Sequence, residues 1–213
     1  MKKINLPENI PIFPLSNAVF FPRTILPLNI FEDRYIQLIN DCMKTQRIFG
    51  MVQPYGKPEK KKLDVYQVGC LGKIINFNET SDNRFFINLS GIIRFKINKE
   101  LETDKLYRKF NVDYSSFLGD LDIANYKATE IEKENILKKI KFFFNKINYS
   151  VEYNELAKLD FDQLVSTVCM ISPFSKEEKQ KLIETIKVKE KLKILDEIIN
   201  FFLFDLEDNR TVQ

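Results

Sequence analysis

The chain has 213 residues, 44% of them apolar and 13% aromatic, which is material enough for one large domain or two small ones. Its 33 basic and 30 acidic side chains leave a formal charge of +3, too balanced for the long-range positive field of a non-specific nucleic-acid binder. Histidine is absent, which excludes Ser-His-Asp and Cys-His nucleophiles, H-E-x-x-H zinc sites and every imidazole acid-base mechanism.

The opening MKKINLPENIPIF has no apolar run of signal-peptide length, and nowhere do about 18 apolar residues follow one another. A cytoplasmic chain with no membrane span is expected. Residues 10–15 (IPIFPL) read as an edge or bulged strand, because Pro11 and Pro14 cannot donate to a ladder. Phe20 and Phe21 are neighbours and point to opposite faces if the chain is extended, so one is core and the other needs a second explanation. From Phe31 the apolar period turns helical through Tyr35, Leu38, Ile39, Cys42 and Met43, which predicts an amphipathic helix ending near Lys44. Glu32 and Asp33 fall in its first turn, where negative charge complements the helix dipole. Arg34, with no acid a helical turn away, is expected to clamp the helix to a sheet.

Residues 47–53 (RIFGMVQ) read as a strand and residues 54–62 (PYGKPEKKK) as an exposed loop. Further strands are expected within 63–77, over 84–89 (RFFINL), over 92–97 (IIRFKI) after a Ser90-Gly91 interruption, and over 106–117. The Gly69-Cys-Leu-Gly72 sequence lies inside a strand-like run, where paired glycines mark a bulge or a close backbone approach rather than an RNA-binding G-x-x-G loop.

Beyond Gly119 glycine disappears and lysine and glutamate become dense, so a boundary is expected near residues 118 to 122, dividing the chain into 1–118 and 119–213. The second part reads as helices. Ile136, Ile140, Phe143 and Ile147 stripe a long one starting near Asp122. Asp160 to Gln163 and Ser175 to Glu178 have the form of capping boxes, Pro173 stops the helix between them, a break is expected around 186–189, and the tail after Leu206 should fray. Lone carboxylate pairs, Asp120 with Asp122 and Glu132 with Glu134, read as solvated charge.

Catalytic chemistry finds little to work with. The only Gly-Lys pairs, Gly56-Lys57 and Gly72-Lys73, lack the glycine and hydroxyl positions of a P-loop. Ser175 and Lys176 are adjacent, which turns their side chains roughly 100° apart at a helix start and leaves Ser175 a cap rather than half of a Ser-Lys dyad. Cys42, Cys70 and Cys169 are too widely spaced for a zinc knuckle and read as reduced, buried thiols. No metal or cofactor is expected.

Residues 10–52 closely resemble the start of the Lon protease N-terminal domain. The likeness lies in Phe13-Pro14-Leu15, Phe21-Pro22, Leu26-Pro27-Leu28, Ile30-Phe31-Glu32, Arg34-Tyr35 and Phe49-Gly50. It continues in Val68-Gly69, Leu71-Gly72-Lys73-Ile74, Asp82 with Arg84, Gly91-Ile-Ile-Arg94-Phe95, and a C-terminal Pro173-Phe-Ser with Lys179-Gln180. The resemblance runs from about residue 8 to about residue 203 and is similar to stand-alone members, since the ATPase and peptidase modules have no counterpart in the sequence. It implies an α+β chain: a PUA-like mixed β-barrel subdomain with one inserted helix, then an α-helical bundle. It also implies a non-catalytic module that binds unfolded or extended polypeptides, an adaptor for a protease or chaperone in protein quality control.

The residues expected to carry binding are Phe20, Phe21, Pro22, Arg84 and Arg94, with Phe21 and Pro22 exposed beside a groove. For Arg84 and Arg94, pairing with Asp82 or another acid competes with that role. The alternative is an RNA-binding PUA-like module using Lys57, Lys60, Lys61, Lys62, Lys73 and Lys105, whose affinity would fall steeply with salt. RNA is the less expected partner.

Overall fold

The computed structural model describes residues 6–16, 18–56, 64–82, 84–122 and 126–211. They form two compact units that divide between Leu121 and Asp122. The first unit contains β1 (Asn9–Pro14), β2 (Ile25–Ile30), α1 (Asp33–Met43), β3 (Ile48–Val52), β4 (Pro54–Tyr55), β5 (Asp64–Val65), β6 (Val68–Glu79), β7 (Phe85–Leu101) and β8 (Arg108–Asp113), closed by the 3-10 helix Ser115–Leu121.

The main sheet runs β2-β7-β6-β3-β1-β8, and β8 returns to pair with β7. The length of β7 makes this closure possible: residues 85–90 pair with β2, 85–96 with β6, and 96–101 with β8. Strands β7, β6, β3, β1 and β8 thus make a mixed barrel, parallel only between β1 and β3, and β2 is an edge strand added to the first half of β7. Ile10, Ile12, Leu71, Ile93, Phe95, Phe110 and Val112 fill the barrel, as strand alternation requires.

Ser90-Gly91 does not separate two strands, because β7 runs straight through it. Gly91 instead seats the loop before β2: its N–H donates to the Thr24 carbonyl at 2.9 Å and its own carbonyl accepts from Arg23 N–H at 2.9 Å. A Cβ at residue 91 would stand 2.2 Å from the Phe21 carbonyl oxygen, so only glycine fits. Strand β1 is not an edge either, lying between β3 and β8; Pro11 is tolerated because the β3 ladder begins at Ile12. Gly69 and Gly72 lie within β6, with Met51 O and the Leu89 side chain where a Cβ would go, a close approach accompanied by a register shift at Leu71/Gly72.

In the second unit the helices are α2 (Glu130–Lys146), α3 (Tyr153–Lys158), α4 (Phe161–Ile171), α5 (Lys176–Glu184) and α6 (Val188–Thr211). Helix α2 starts at Glu130 rather than near Asp122 because Thr129 and Glu132 form a capping box there. Asp160 caps α4, and Ser175 with Glu178 makes the complete box of α5. Ile140, Phe143, Phe144, Leu164, Val168, Leu182, Ile183, Leu195 and Ile199 are buried. Helix α6 continues to Thr211 instead of ending at Leu206, since residues 206–211 contain neither Pro nor Gly to break it. Among the described residues no helix is long and apolar enough to cross a membrane.

The 3-10 helix belongs to the first unit, because Phe117 and Asp120 are both anchored there.

Candidate functional site

All five residues expected to bind lie in the first unit, and four of them are buried. Phe21 has no exposed surface, Phe20 has 2%, and Pro22 is buried. The expectation that Phe21 and Pro22 are exposed is therefore corrected. Their segment is irregular loop, not strand, so neighbouring rings need not diverge, and both enter the core. The Phe20 ring occupies the space left by Gly72, where a Cβ would lie 2.8 Å from it. The turn is locked by the Thr24 hydroxyl, which donates to the Phe21 carbonyl at 2.7 Å, and by Arg23 at a positive φ of 63°. Phe21-Pro22 is an anchor.

Arg94 is 4% exposed. Its Nε and backbone N–H donate to Asp120 Oδ2 at 2.9 Å each, its Nη2 donates to Oδ1 at 2.7 Å, and the guanidinium lies 4.7 Å from the Phe117 ring centroid. Asp120 is accordingly a buried ion-pair partner, not solvated charge. Arg34 also departs from expectation: it pairs with Glu32 at 2.8 Å on the surface and covers Tyr35. Tyr35 holds α1 instead, stacking on Phe13 at 3.9 Å and donating to the Pro14 carbonyl at 3.4 Å.

Arg84 alone of the five offers surface. It pairs with Asp82 at 2.9 Å, and its guanidinium carbon stands 6.0 Å from the centroid of the Phe31 ring. Phe31 was expected on the buried face of the first helix. That helix starts two residues later, at Asp33, and leaves Phe31 61% exposed.

From Phe31 and Arg84 an exposed sheet face extends along β2, β7 and β6. Residues directly opposite one another share a face. Asn29, Phe86 and Asn78 make one row; Pro27, Asn88 and Asn76 the next; Ile25, Ser90 and Lys73 the third. Phe86 is 47% exposed and Ile25 54%, while the alternate residues Phe85, Ile87 and Leu89 are core. A pocket of about 380 Å³ opens here, lined by Pro27, Leu28, Asn29, Asn76, Asn78, Phe86, Ile87 and Asn88, with no charged side chain. Among the described residues no hydrogen bond uses the carboxamide of Asn29, Asn76, Asn78 or Asn88. Nothing in the sequence separated Phe86 from Phe85; pairing register alone decides which of two adjacent rings faces outward.

Other chemistry is quiet. Cys42, Cys70 and Cys169 are free and buried. Burial pushes the Cys42 and Cys169 thiols up to about 12, and the Cys70 thiol well above its usual range, away from nucleophilic form. Among the described residues no group of three or more acidic, Cys or His side chains is placed to hold a metal ion. Glu132 is used in capping and Glu134 pairs with Lys138. Of the lysines suggested for RNA, Lys105 pairs with Asp41 at 3.1 Å and Lys73 is exposed; Lys57, Lys60, Lys61 and Lys62 lie outside the described residues.

Residues 9–200 match the family model described as the ATP-dependent protease La (LON) substrate-binding domain. Lon protease of Syntrophus aciditrophicus is 26% identical over the whole chain, and that of Anaeromyxobacter dehalogenans 23% identical over 94% of it. The chain spans about a quarter of the length of these relatives, 27% and 24%. Among solved structures, a Lon N-terminal domain protein from Xanthomonas campestris matches 88% of this chain and 96% of its own with a TM-score of 0.64 at 18% identity. The N-terminal domain of Mycobacterium avium complex Lon protease matches 90% and 98% with a TM-score of 0.61 at 14% identity. With its barrel, added edge strand and following helices, and with a match that covers nearly all of them, the chain belongs to the Lon substrate-binding domain family.

Proposed function

We propose that this chain is a non-catalytic module that holds unfolded or extended polypeptide, working in the cytoplasm as an adaptor for a protease or chaperone. The observation that carries the reading is the exposed face of β2, β7 and β6, where Phe31, Phe86 and Ile25 remain in water on a unit whose family is named for substrate binding. Aromatic rings on a rigid sheet bury much area per contact at little entropic cost, which suits transient capture of apolar segments. Arg84, at the end of this face, is retained as a client contact.

The family match lies in the substrate-binding domain, and all three cysteines are buried, which supports a role without catalysis. RNA binding has less behind it: Lys105 is engaged with Asp41, and the exposed face is uncharged around Phe86. Reduced, carboxamidomethylated α-lactalbumin, which cannot fold, tests the reading by sedimentation velocity. It should co-sediment with this chain while native α-lactalbumin does not; equal indifference to both refutes the reading.

A further inference from the structure

We propose that the pocket around Phe86 binds the main chain of an uncharged, extended peptide segment, with the carboxamides of Asn29, Asn76, Asn78 and Asn88 as the reading groups. This inference rests on the polypeptide-binding reading and specifies where and how the client sits. Three features of the pocket lead to it.

The first is charge. In a chain with 30% charged residues, the eight that line this pocket include none. A charged side chain or a phosphate brought here loses water and gains no counter-charge, so the complementary ligand is neutral. The second is hydrogen bonding. Each carboxamide carries two N–H donors and a carbonyl acceptor in one plane, which is the chemistry of a peptide group. All four have these groups unused within the described residues.

The third is spacing. Asn76 and Asn78 on β6, and Phe86 and Asn88 on β7, are two residues apart on one face, a repeat of about 6.8 Å. An extended peptide laid along the strands repeats its own side chains at the same interval. Its main chain therefore meets an amide at each step, while one of its apolar side chains rests on Phe86 or Pro27. The pocket volume of about 380 Å³ lies in the range that holds small ligands and single side chains. Such a site selects for backbone extension and lack of charge, and it is indifferent to the exact sequence.

The test uses the full chain and a fluorescein-labelled decapeptide alternating phenylalanine and serine, followed by anisotropy and by the side-chain NH2 signals of the protein's asparagines. The expected result is saturable binding that shifts the NH2 signals of Asn29, Asn76, Asn78 and Asn88, changes little between 50 and 500 mM salt, and weakens about tenfold in Asn78→Ala with Asn88→Ala. The same peptide with N-methylated serines should bind about tenfold more weakly to the parent chain. Phe86→Ser, on an exposed position, provides a second variant if the asparagine pair fails to fold. Should unfolded α-lactalbumin still be captured while both variants and the N-methylated peptide bind as the parent pair does, this inference is overturned and the polypeptide reading stands. Loss of capture by the parent chain itself removes both. Displacement of the peptide by oligouridylate at low salt, or a steep loss of binding with salt, also overturns it.

Discussion

Asp120 accepts three hydrogen bonds from a single residue, two from the Arg94 guanidinium and one from its backbone N–H. The pair is almost wholly removed from solvent, with 5% of the Arg94 and 9% of the Asp120 side chain exposed. It fixes the 3-10 helix Ser115–Leu121 to β7. Removing one partner leaves a buried charge alone, so Asp120→Ala should destabilise the first unit by about 3–5 kcal/mol in urea unfolding. Replacing both, Arg94→Met with Asp120→Leu, should recover part of that loss, because the residue 94 amide still lacks its acceptor.

Gly91 is predicted to tolerate no side chain without loss of stability. A methyl there meets the Phe21 carbonyl oxygen at 2.2 Å, and backbone cannot swing aside as a side chain can. Gly91→Ala should cost about 1–3 kcal/mol or more by overpacking. Phe21→Ala should cost about 3–5 kcal/mol by leaving a cavity. Urea midpoints measure both, and in both the loss of stability, not of client contact, is the primary effect.

The thiols give a pH signature. Burial raises Cys42 and Cys169 from an ordinary 9.0 to about 12. A group protonated more firmly in the folded state stabilises it fully below its unfolded value, and that contribution is lost as pH rises through the folded one. Stability should therefore fall between about pH 9 and pH 12, and less steeply after Cys42→Ala with Cys169→Ala. At pH 8 none of the three cysteines should react with Ellman's reagent until denaturant is added.

The complete capping box of α5 offers a milder test. Ser175 accepts from Glu178 N–H at 3.2 Å, and Glu178 returns to the Ser175 N–H at 2.7 Å. Ser175→Ala should lower the stability of the helical unit by about 1 kcal/mol, as read from its thermal midpoint.

What the sequence revealed follows from how local each signal is. Caps at Asp160 and Ser175, the stop at Pro173 and the periodic face of Tyr35, Leu38, Ile39 and Cys42 are set by neighbours within a turn or two, and they were legible. Motif combinations revealed the family and with it the barrel followed by helices. Properties that depend on long-range register were not legible. Gly91 looked like a break between two strands because the loop it accommodates lies some 70 residues earlier in the chain, at Phe21. The same blindness placed Phe21 and Pro22 on the surface and Phe31 inside. Their exposure is decided by the loop before β2 packing against Gly72 and Gly91 and by the helix starting at Asp33. Arg84 could be placed beside an acid from its neighbour Asp82, but Arg94 could not be matched to Asp120 across 26 residues.

Client polypeptide is proposed to meet the face carrying Phe31 and Phe86. The most direct measurement is the affinity of carboxamidomethylated α-lactalbumin for the parent chain and for Phe31→Ser with Phe86→Ser, at matched thermal midpoints. Since both rings are roughly half or more exposed, the double variant should keep its fold and bind at least about tenfold more weakly. Equal affinity in a variant of unchanged stability would contradict the account.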